Sequence, residues 1–85
     1  MPSPRLSDLP LGAQGTVRGV SAREGAGAVD PHMLHRLGEL GFLPGEPVHL
    51  VRRGPGGREP IAVQIGETLF ALRLVEAQCV EVSVP

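Results

Sequence analysis

Lysine, tryptophan and tyrosine are absent from this sequence, and phenylalanine occurs only as Phe42 and Phe70. Any core must therefore be aliphatic, drawn from Val, Leu and Ile. The missing lysines also bear on partners. Nucleic-acid binding takes much of its affinity from clustered cations on phosphates, whereas here eight arginines are offset by nine carboxylates, for a net charge of −1. With so few aromatic rings, single strands have no platform on which to stack. Nucleic acid is excluded as a partner on these grounds. Cys79 is the only cysteine, so one chain can form neither an internal disulfide nor a thiolate zinc cluster, as suits a reducing compartment. No apolar run approaches the roughly 18 residues of a membrane span, and Met1-Pro2-Ser3-Pro4-Arg5 lacks the apolar segment of a signal peptide. The expectation is a cytoplasmic protein with no direct membrane insertion.

The 85 residues, 41% of them hydrophobic, leave room for one domain, with a modest core. Residues 1–5 are expected to be a flexible N-terminus and 6–85 the single domain. Leu6 to Gly12 reads as a turn seating Leu6 and Leu9, followed by a first strand over Gly15 to Val20. Gly25-Ala26-Gly27-Ala28 reads as a flexible connection. Asp30 at an N-cap position and Pro31 at the first helical position open a helix. Met33, Leu37 and Leu40, with Leu34 beside them, form its apolar stripe. Gly41 suits the left-handed residue that ends a helix, with Phe42 packing back on the last turn. Leu43-Pro44-Gly45-Glu46 fits a type II turn.

Beyond that turn the apolar period falls from 3.6 to 2. Pro47 to Arg53 reads as a strand, and Gly54-Pro55-Gly56-Gly57 as a wide, mobile loop. Ile61, Val63 and Ile65 alternate with Ala62 and Gln64 as a half-buried strand. Gly66-Glu67 matches a type II′ hairpin connection to a return strand from Thr68 to Leu72. A helical turn over Arg73 to Ala77 precedes a last strand, with Val80, Val82 and Val84 on one face and Cys79, Glu81 and Ser83 on the other. The fold class is mainly β: five short strands in a small barrel with one inserted helix, closure removing the exposed edges of an open sheet.

Several segments together resemble the ferrous iron transport protein A family. They are Leu9-Pro10-Leu11-Gly12, Leu37-Gly38-Glu39-Leu40-Gly41-Phe42-Leu43-Pro44-Gly45, Arg53-Gly54-Pro55, Glu59-Pro60-Ile61-Ala62-Val63, and Phe70 through Ala77. The resemblance implies an SH3-like barrel, related to a domain that closes certain iron-dependent repressors. It also implies a small accessory protein of bacterial ferrous iron uptake, whose partner is the membrane iron permease with its cytosolic GTPase domain.

No catalytic constellation is present: there is no Ser–His–Asp spacing, and no Gly-Lys-Ser/Thr follows the Gly-Pro loop. The chain reads as a non-enzyme that works by protein–protein contact. Candidate partner-binding residues are Arg36, Glu39, Arg53 and Glu59 on the helix and flanking loops. Arg52 and Arg53 lie on opposite faces of a strand, so one patch uses at most one of them. Arg73 and Glu76 read as a structural pair or backbone cap, and Cys79 as a buried apolar filler. His32 and His35 share a helix face, and with Asp30 and Glu39 they form a candidate metal set for zinc or ferrous iron. One helix offers only two or three of these side chains to a single ion, too few for a closed tetrahedron, so the alternative function is a metal-responsive module that self-associates as a metal-bridged homodimer. No cofactor is required by either reading.

Overall fold

The computed structural model describes residues 4–21 and 30–85; the Gly25–Ala28 connection lies outside them. The first strand, β1 (Gln14–Val20), leads to helix α1 (Pro31–Leu40), and β2 (Pro47–Arg53), β3 (Ile61–Ile65) and β4 (Thr68–Leu72) follow. A one-turn helix, α2 (Leu74–Ala77), precedes β5 (Val80–Ser83). All five strands are antiparallel in one sheet, in the order β4-β3-β2-β1-β5.

Local chemistry accounts for the helix ends. The Asp30 carboxylate accepts from the His32 N–H at 2.9 Å, and Pro31 follows at the first turn. At the other end Gly41 takes φ +115°. Phe42 N–H donates to Leu37 O and Gly41 N–H to Gly38 O, both at 3.1 Å, which is the Schellman bonding pattern. The expected packing of Phe42 follows: it is buried, and its ring lies 5.9 Å from that of Phe70. Gly45 (φ +93°) and the Glu46 N–H to Leu43 O bond make the type II turn. Gly66 has φ +58° while Glu67 does not have positive φ, the combination of a type II′ hairpin.

The core is aliphatic. Leu6, Leu37, Leu50, Ile61, Val63 and Val82 are each fully buried, and Met33, Leu34, Leu40 and Phe70 pack against them in part. Ile61, Val63 and Ile65 point inward as their alternation predicts.

Five expectations need correction. Pro4 and Arg5, expected to be loose, are tied to β5: the Val82 N–H donates to Pro4 O at 3.0 Å, and Arg5 bridges Glu81. The Gly54–Gly57 segment is not a wide loop. It forms a 3-10 turn, closed by Gly57 N–H to Gly54 O and Gly54 N–H to Arg58 O, each 3.0 Å. Cys79 does not alternate with Val80. It sits in the turn before β5, so both are buried. Val84 lies past the end of β5 and is exposed. Finally, the barrel is not sealed by pairing, because among the described residues no ladder joins β4 to β5. The outer edge of β5 is covered by Pro4 and Arg5, which leaves β4 as the open edge among the described residues.

Candidate partner-docking site

Helix α1 and the β4–α2 junction face each other across a groove of about 540 Å³. Met33 and Arg36 line it from the helix, Ala71, Arg73 and Val75 from the other wall. Two carboxylates also border the groove, but both are committed. Asp30 caps α1, and Glu76 accepts from the Arg73 N–H at 2.8 Å, capping α2. This bears out the capping role expected of Arg73 and Glu76. The Arg36 and Arg73 side chains are exposed. The groove therefore mixes three apolar side chains, Met33, Ala71 and Val75, with two exposed guanidinium groups, suited to an apolar side chain next to a carboxylate.

The four candidate partner contacts are not gathered in one place. Arg36 lies in the groove. Glu39 is exposed one turn further on, with its Oε1 3.3 Å from His35 Nε2. Glu59 is exposed beyond the Gly54–Gly57 turn. Arg53 points inward. Its Nη2 donates to the carbonyls of Ser7 and Leu9, both at 2.8 Å. A register shift explains this orientation. Simple alternation from the buried Leu50 would turn Arg52 inward and Arg53 outward. The bulge between Leu50 and Arg52 reverses that, pairing Arg53 with Ile61 and leaving Arg52 exposed, since one extra residue flips every later side chain to the other face.

The candidate metal set divides in the same way. Asp30 is occupied by its cap, His32 lines the groove, and His35 pairs with Glu39. Among the described residues no group of three His, Cys, Asp or Glu side chains is placed to hold an ion. The residues present do not fit a closed metal site within one molecule.

Cys79 is 1% exposed and its Sγ donates to the Val75 carbonyl at 3.4 Å. Burial pushes the thiol above its ordinary value, against the opposing pull of the Arg5 guanidinium. That cation is distant in sequence and near in space, so local sequence gave no sign of it. The same holds for Arg73 and Val75: no spacing pattern marks them as facing α1, because the fold alone brings the two walls together.

Comparison with known proteins places this geometry in a family. The FeoA domain model matches residues 5–84. The zinc-complexed FeoA of Stenotrophomonas maltophilia is similar at 42% identity, over 95% of this chain and 91% of that one, with a TM-score of 0.81. The iron(II) transport protein A of Clostridium thermocellum is 31% identical over 95% of this chain and 45% of its own, with a TM-score of 0.77. IdeR of T. acidophilum shares the fold at 14% identity, covering this whole chain and 35% of that one, with a TM-score of 0.74. No curated protein sequence matches. A five-stranded SH3-like barrel with one inserted helix, matched along nearly its whole length, settles the kinship: the chain belongs to the FeoA family, which ties it to ferrous iron transport.

Proposed function

We propose that this protein is a cytosolic accessory factor of bacterial ferrous iron uptake that binds the GTPase-containing iron permease and regulates it. The family match over residues 5–84 carries the reading. The groove beside α1 supports it, because Arg36 and Arg73 stand exposed there while the nearby carboxylates are held in caps. A small barrel of this kind can present about 800 Å² to a partner, or less in a transient contact. The test is binding of the purified chain to the permease's cytosolic region, followed by its nucleotide turnover. Binding that changes turnover supports the proposal, and an Arg36→Glu substitution is expected to weaken it. No detectable binding, with turnover unaltered, overturns it.

A second reading is metal-bridged self-association through His32 and His35, with Asp30 or Glu39 assisting. It is favoured by the His35–Glu39 pair at 3.3 Å and by the zinc found with the S. maltophilia relative. Two copies would together supply the ligands that one lacks. Sedimentation of the parent and a His32→Ala/His35→Ala variant tests it. Zinc should shift the parent alone, chelator should reverse the shift, and an equal response in both proteins rules the reading out.

A further inference from the structure

Barrels usually leave no unpaired edge, and open edges are commonly guarded by Lys, Pro or a bulge. Strand β4 has none of these guards. Thr68–Leu72 contains no charged residue and no proline, and its ladder with β3 has no register shift. The register also identifies which backbone groups are left over. Ile65 and Thr68 close a two-residue hairpin, so they form a hydrogen-bonded pair, and bonding alternates from there along the strand. Thr68, Phe70 and Leu72 thus bond to β3, while Leu69 and Ala71 turn their N–H and C=O groups to the open side. Their side chains lie on the outer face, opposite the packed Phe70 and Leu72. Leu69 is 61% exposed, and Ala71 opens onto the groove.

We propose that the open edge of β4 pairs antiparallel with β4 of a second copy, forming a two-fold dimer centred on Phe70. The sequence of the strand is self-complementary in this register. Centring on Phe70 sets Leu69 opposite Ala71 of the other copy, twice, and these are the residues with outward backbone groups. Two such pairs, each exchanging two bonds, give four N–H···O bonds. The same register sets Glu67 opposite Arg73 of the other copy, again twice. Each Leu69 then lies over Ala71 in the groove beside Met33 and Val75, and each Glu67 carboxylate meets the Arg73 guanidinium there. The apolar and the cationic lining each find a counterpart. The paired edge is short, so the dimer is weak, with a dissociation constant on the order of 100 µM. It uses neither metal nor permease, and because it fills the groove beside α1, it and the permease contact proposed above exclude one another.

Sedimentation over a roughly hundredfold concentration range reaching about 1 mM, with chelator throughout, tests the proposal. The parent is expected to move from one chain mass towards two. Leu69→Lys should weaken association at least about tenfold while keeping the parent's thermal transition, because that side chain is exposed. Charge reversal gives the decisive arm. Glu67→Arg and Arg73→Glu should each remain monomeric alone, since each sets like charges opposite one another. Mixed in equal amounts they should associate, because both cross-strand pairs are then restored. A parent that stays monomeric to the highest concentration overturns the proposal, even if the edge takes up another protein's strand. Association that ignores Leu69→Lys, or mixed variants that stay apart, overturns it as well.

Discussion

Arg53 shows how one side chain can be structural while reading as a contact. Its guanidinium holds the Ser7 and Leu9 carbonyls at 2.8 Å, fastening the first turn to the end of β2. Hydrogen bonds to a charged group are worth about 1.5–3 kcal/mol. Arg53→Ala is therefore expected to lower the unfolding free energy by about 2 kcal/mol in a denaturant titration. A variant as stable as the parent would show that the clamp carries no weight. Cys79 makes a different prediction. Burial raises its thiol above the ordinary value, so the unfolded chain loses this proton at lower pH than the folded chain does. The resulting stabilisation is complete below the unfolded value of about 8.5 and is lost as pH climbs through the higher folded value. Parent stability should fall above about pH 8.5 relative to a Cys79→Ala variant, and native Cys79 should resist alkylation until the chain unfolds. Rapid alkylation of the folded protein would contradict the burial.

At the scale of elements, much was legible because start and stop signals agreed with periodicity. Asp30, Pro31 and Gly41 delimit α1 as their backbone preferences require, and Gly45 and Gly66 supply the positive φ of their turns. Bulges were not legible. Nothing in Leu50-Val51-Arg52-Arg53 announces an unpaired residue, since a bulge is fixed by the pairing of two strands and not by one. The inward turn of Arg53 was hidden for that reason. The Gly54–Gly57 turn was misjudged for a related cause. Its glycines suggested mobility, whereas Gly54 is required by a close approach: a Cβ there would lie 2.6 Å from the Glu59 carbonyl carbon and would overlap its oxygen. Those atoms are backbone and yield only by moving the turn. Gly54→Ala is expected to cost about 2–3 kcal/mol, whereas Gly57→Ala, with open space around its Cβ, is limited to the smaller cost of a positive φ. Thermal melts of the two variants compare them directly, and equal losses would refute the crowding argument.

For the whole molecule, the question is whether any chemistry survives once each reactive group is located. His35 is paired with Glu39, His32 is exposed at the groove, and the Cys79 thiol is buried, protonated and bonded to a carbonyl. The Ser7 hydroxyl is buried with no partner among the described residues. A nucleophile needs a base within hydrogen-bond reach; among the described residues neither the Cys79 thiol nor the Ser7 hydroxyl has one, and the Ser21 hydroxyl, 3.4 Å from Glu81 Oε2, is tied up by the Arg5 guanidinium at 3.1 Å. The Gly54–Gly57 turn is no phosphate cradle either, because it is followed by β3 and not by a helix. The isolated chain is therefore expected to hydrolyse GTP no faster than buffer, at any concentration. Adding it to the permease's GTPase domain should change that domain's turnover, and Arg36→Glu should diminish the change while leaving the thermal transition in place. Turnover that follows this chain through repeated purification, with no permease present, would show instead that the protein carries a catalytic centre of its own.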